Sequence, residues 1–101
     1  MQTYPSKNDK ELIKALSYLK DEKEITSFIR DLLTPNEIDE FSKRFQIAKL
    51  LWTTKQSYIE IAQKMYTSTT TVTRVSQWLS KEAWQGYSTV LRRMFGTAKR
   101  E

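Results

Sequence analysis

Threonine crowds one short stretch of this 101-residue sequence: Thr67, Thr69, Thr70, Thr71 and Thr73 lie within seven positions, with Ser68 among them, Arg74 directly after and Gln77 three further on. Hydroxyl, guanidinium and amide groups spaced in this way suit hydrogen bonds to phosphate oxygens and base edges, and a threonine methyl suits the methyl of thymine. Covalent chemistry would need more. A hydroxyl attacks only when a base activates it, and the sequence holds no His and no Cys. Imidazole acid–base centres, thiolate nucleophiles, zinc fingers and disulfides of the usual kinds therefore fall away. The acid pairs Asp21/Glu22 and Asp39/Glu40 are neighbours on solvated helix faces without a convergent partner, so no enzyme, metal site or cofactor is expected.

Charge points the same way. Residues 1 to 54 carry nine Lys/Arg against nine Asp/Glu, whereas residues 55 to 101 carry eight against three, which accounts for the whole net charge of +5. The threonine stretch lies in the basic half, the half expected to face a polyanion. The polar opening Met1-Gln2-Thr3-Tyr4-Pro5 is unlike a signal peptide, and no apolar run approaches the roughly 18 residues that span a bilayer. A soluble, cytoplasmic protein with no membrane partner is expected.

The elements that hold these groups read as helices throughout. Gly occurs only at 86 and 96 and Pro only at 5 and 35, and no segment alternates apolar and polar residues long enough for a sheet. Caps mark the starts: Asn8 with Glu11, Asp21 with Glu24, Thr34 with Glu37 and Ser57 with Glu60. A first helix is expected over about Lys10 to Lys20, with Leu12, Ile13, Leu16 and Leu19 as its core stripe. A second covers about Glu22 to Leu33, burying Ile25, Phe28, Ile29 and Leu32. The third, about Pro35 to Thr53, aligns Ile38, Phe41, Phe45, Ala48 and Trp52 on one face while Ile47, Leu50 and Leu51 spread around the other. Burial on both faces hints at an intersubunit contact; the plainer reading is the central helix of a monomeric bundle. Two short helices, about Tyr58 to Met65 and Thr69 to Ser80, follow around a tight turn. A last helix over about Tyr87 to Phe95 offers Tyr87, Val90, Leu91 and Met94 to the core. Together these make one helical domain over 1–101, with core helices at about 10–53 and 87–95 and a polar tail, 96–101, expected to fray.

Residues 61 to 75 carry the spacing of a helix-turn-helix. Ala62 is small where the two backbones approach, and Ile61, Met65, Val72 and Val75 fill the wedge between them. That wedge turns Thr69, Thr70, Thr73, Arg74 and Gln77 outward, at the front of a helix fitted to enter a major groove end-on. Ser68, Thr71, Lys64 and Ser57 complete the set of residues expected at double-stranded DNA. One departure stands out: the turn position where such motifs usually have Gly is Tyr66, which calls for a positive φ at a cost of about 1 kcal/mol or more.

From Leu33-Thr34-Pro35-x-Glu37 through Arg44 to Thr71-x-Thr73-Arg74, the chain resembles the Trp repressor superfamily, in particular its YerC/YecD-like branch, over roughly residues 10 to 95. The resemblance implies an intertwined all-α homodimer of about six helices per chain, with each helix-turn-helix projecting as a DNA-reading head of a repressor. It also implies a tryptophan pocket at Thr34, Arg44, Thr71 and Arg74. Here the sequence departs, because Val75 and Trp78 replace a glycine and a serine of the sensing members and would fill the space the indole needs. L-tryptophan is therefore not expected as corepressor, and Trp78 would supply an internal indole. Plainer roles are a core Trp and, for Arg44, an ion pair with Glu40 worth roughly 0.3 kcal/mol. The competing reading of the whole chain is a helical protein-interaction module anchored by Trp52, Trp78 and Trp84.

Overall fold

The computed structural model describes residues 3–80 and 84–100. Every regular element among them is a helix: α1 (Lys7–Ser17), α2 (Glu22–Leu32), α3 (Pro35–Thr53), α4 (Tyr58–Lys64), α5 (Thr69–Ser80) and α6 (Gly86–Phe95). The all-α expectation holds, and α3 and α5 have the bounds read from the sequence.

The start of α1 differs. Ser6 caps it in a reciprocal box with Asp9, the hydroxyl accepting from the Asp9 N–H at 3.1 Å and the carboxylate from the Ser6 N–H at 2.9 Å. Asn8 and Glu11, expected as the cap, fall inside the helix. Ser6 lies two residues before Asn8 and already satisfies the free amides, so the chain turns helical there. The helix also stops early, at Ser17, since the Lys20 N–H is taken by Glu24 reaching back at 2.8 Å. Asp21 caps α2 and Thr34 caps α3 as expected, the latter in a box with Glu37.

Contacts divide the chain into two units, Met1–Ile38 and Asp39–Glu101. The reason is the placement of the core. In the first unit α1 and α2 bury no residue completely, and Leu12, Ile13, Leu16, Ile25 and Leu32 are each 40–47% exposed. The stripe expected to be core is thus an apolar edge in the single chain, although Leu19, Phe28 and Ile29 are half-buried.

In the second unit Ile47, Ala48, Leu51 and Trp52 of α3 are buried with Ile61, Ala62, Val72, Val75 and Leu91 of α4, α5 and α6. Burial of each Ile, Leu or Val side chain contributes about 1.5–3 kcal/mol. The two-sided apolar pattern in the second half of α3 is therefore met within one chain by α4 to α6, as in the plainer bundle reading, and does not itself call for a second copy.

A further difference concerns the end of the chain, expected to fray. The Trp52 indole N–H donates to the Gly96 carbonyl at 2.8 Å, the Lys99 N–H to the Trp52 carbonyl at 2.9 Å, and the Arg100 guanidinium to the Thr54 and Gln56 carbonyls. Polar residues stay ordered where they satisfy carbonyls left open at a helix end. Glu101 lies outside the described residues.

Candidate nucleic-acid interface

Local chemistry closes the α4–α5 pair at both ends. Ser57 caps α4 in a box with Glu60, its hydroxyl accepting from the Glu60 N–H at 3.1 Å and its own N–H donating to the carboxylate at 2.8 Å. The Ser57 N–H, and then its hydroxyl, hold the Glu60 carboxyl below its ordinary range. With the folded value depressed, the cap is complete above the carboxylate range and is lost as pH falls through the lowered pKa.

At the other end of α4 the turn is a Schellman motif. The Thr67 N–H donates to the Ala62 carbonyl at 2.9 Å and the Tyr66 N–H to the Gln63 carbonyl at 3.3 Å, with Tyr66 left-handed at φ 54°. Two backbone bonds offset the roughly 1–2 kcal/mol that a Cβ costs there. The Tyr66 side chain itself is 90% exposed. The expected wedge then forms, with Ala62, Ile61, Val72 and Val75 all in the core and Met65 half-buried beside them. A side-chain bond that sequence reasoning missed ties the pair further: the Tyr58 and Ser76 hydroxyls lie 2.5 Å apart. Pairing a phenol with a hydroxyl 18 positions away leaves no local signal.

The front of α5 is set by Ser68, whose hydroxyl accepts from the Thr71 N–H at 3.2 Å and lies 3.1 Å from the Thr71 hydroxyl. Thr69, Thr70, Thr73, Arg74 and Gln77 are exposed, as is Lys64 of α4. The Thr73 hydroxyl donates to the Thr69 carbonyl at 2.9 Å, which fixes its rotamer and leaves its lone pairs and methyl on the surface. Thr71 differs from its neighbours. It is half-buried, and with Glu40, Lys43, Arg44, Ile47 and Thr67 it lines a small cavity of about 150 Å³.

Of the four residues matched to the tryptophan pocket, the structure brings Arg44 and Thr71 together. Thr34 spends its hydroxyl capping α3, and Arg74 is exposed and is not among the residues lining the cavity. The Val75 side chain is in the core, 1% exposed. The Arg44 guanidinium lies 5.5 Å from the Trp78 ring centroid and 5.4 Å from that of Phe41, within cation–π range. Glu40, its partner in the plainer reading, lines the same cavity. Burial pushes the Tyr87 hydroxyl above its ordinary range, the charge of Arg44 opposing.

Helices joined through a left-handed turn, with the second end-capped and polar-fronted, define an all-α protein of the helix-turn-helix class. The sequence model of the family described as Trp repressor protein matches residues 7–95. The chain belongs to the Trp repressor family. It is similar to a TrpR-like protein from Eubacterium eligens ATCC 27750, at 35% identity and TM-score 0.75 over 89% of this chain and 91% of that one. It is similar too to a protein from Staphylococcus aureus described as a Trp repressor candidate, at 32% identity and TM-score 0.78 over 92% of this chain and 91% of that one. No curated protein sequence matches significantly.

Proposed function

We propose that this chain is a sequence-specific DNA-binding transcriptional regulator of the repressor type, cytoplasmic, acting as a homodimer on a palindromic operator without free tryptophan. The observation that carries the reading is the split face of α5: Val72 and Val75 are 0% and 1% exposed, while Thr69, Thr70, Thr73, Arg74 and Gln77 face solvent. A helix fixed in this way can enter a major groove, with Ser68, Ser57 and Lys64 at the flanking phosphates. The apolar edge of α1 and α2 supports a second copy, because a row of half-exposed leucines and isoleucines gains from being covered. Two reading heads would then lie about 34 Å apart, one turn of DNA.

Selection of bound DNA from a random pool tests this directly. A palindromic consensus is expected, with affinity falling steeply between about 50 and 200 mM salt as phosphate contacts release counterions. Recovery of no enriched sequence would defeat the proposal. The alternative, a protein-interaction module anchored on Trp52, Trp78 and Trp84, is weakened by burial of Trp52 and by the Arg44 contact of Trp78, while Trp84 is 69% exposed.

The reading without free tryptophan draws support from the Arg44 neighbourhood. The Trp78 indole already lies against the guanidinium, its ring centroid 5.5 Å away, and the cavity that Arg44 lines with Thr71 is small, about 150 Å³. Calorimetric titration with L-tryptophan is expected to give no binding heat. Heat with micromolar affinity would show that Trp78 swings away and the pocket opens.

A further inference from the structure

We propose that Arg100 is a positioning residue for the reading head, a clamp on the hinge from which α4 leaves α3; the proposal rests on α4–α5 being the DNA-binding element. Its guanidinium donates to the Thr54 carbonyl through Nε at 3.0 Å and Nη2 at 2.8 Å, and to the Gln56 carbonyl through Nη2 at 2.6 Å. The next residue, Ser57, is the cap of α4. The hinge is the non-helical stretch 54–57, so one side chain from the far end of the sequence holds two of its carbonyls, those of Thr54 and Gln56.

The segment that delivers Arg100 is itself fixed. Gly96 accepts from the Trp52 indole, Lys99 donates to the Trp52 carbonyl, and the Arg92 guanidinium lies 5.6 Å from the Trp52 ring centroid. Arg100 is therefore carried on a base anchored to the end of α3, and it reaches forward from that base to the first residues beyond it. A lysine cannot replace it fully, because a single ammonium lacks the planar fork that spans two carbonyls. Thr54 adds a local brace, its hydroxyl donating to the Leu50 carbonyl at 2.6 Å and accepting from the Gln56 N–H at 3.3 Å. That brace fixes Thr54 to α3, whereas among the described residues Arg100 alone joins the Thr54 carbonyl to that of Gln56.

The test compares the full chain with Arg100→Ala and Arg100→Lys, reading amide hydrogen exchange by segment and affinity for DNA selected from a random pool. Arg100→Ala is expected to speed exchange across 57–65 while leaving 43–53 unchanged, and to weaken DNA binding about tenfold, the scale of losing charge-assisted bonds. Arg100→Lys should recover part of both. Unchanged exchange across 57–65 would overturn the clamp, and so would equal acceleration in α3 and α4, which would mark an ordinary stabilising contact. If the unaltered chain selects no DNA, the functional reading fails on its own, and the exchange comparison still decides whether Arg100 clamps the hinge.

Discussion

Arg74→Ala is expected to weaken DNA binding by about tenfold or more while the helical circular dichroism stays unchanged, since a good bidentate base contact is worth about 1–3 kcal/mol. The structure separates the two effects. Arg74 is exposed on α5 and has no partner among the described residues, so its removal leaves no buried group unsatisfied and no cavity. Its neighbours Val72 and Val75, both in the core, hold the helix in place without it. Salt dependence distinguishes the kind of contact. If Arg74 meets a phosphate, the variant loses affinity evenly across sequences and its salt slope falls by about one; if it reads a base edge, specificity relaxes at one operator position. Equal affinity in a gel-shift assay would remove Arg74 from the interface.

Trp52→Ala should have the largest effect on folding, a loss of about 3–5 kcal/mol, as for other buried aromatic truncations. Trp52 is 7% exposed and joins three parts of the second unit. Its ring lies in the core with Ile61 and Leu91, its indole N–H bonds Gly96, and Arg92 lies over its face. Truncation would open a cavity and remove one of the bonds that hold the tail, that to the Gly96 carbonyl. Since domains of this size are stable by only about 5–15 kcal/mol, thermal unfolding should show a fall in Tm well beyond 10 °C. A drop of only a few degrees would mean the surroundings collapse into the space. Trp52→Phe keeps most of the ring and loses the hydrogen bond, which should cost about 1 kcal/mol.

How far the sequence could be read depended on whether the signal was local. Cap pairs three residues apart fixed α2, α3 and α4, and the misreading at α1 came from passing over Ser6–Asp9 for a weaker pair beside it. The Tyr66 turn was legible because one residue type was unusual for its place, and its positive φ follows from that. Periodicity located the apolar face of α1 correctly, but no pattern within one helix says what covers it, and the single chain leaves that face half open. The docking of the tail was invisible in principle: Lys99 and Arg100 bond main-chain carbonyls, and a carbonyl is the same whatever residue bears it. The Arg44–Trp78 contact lay between. Two bulky replacements showed that the space was contested, while the structure shows that one of them, Val75, goes to the core and only Trp78 meets the guanidinium.

The left-handed corner at Tyr66 has a consequence for the footprint of the molecule. A glycine there would leave the elbow between the two rods flush, whereas the phenol stands almost wholly in solvent. An aromatic ring of this kind can cover 150–250 Å² on contact, with a hydroxyl at its tip able to give or take a proton bond. Whatever surface the threonine row meets, the neighbouring ground is met by a broad, flat, wettable paddle.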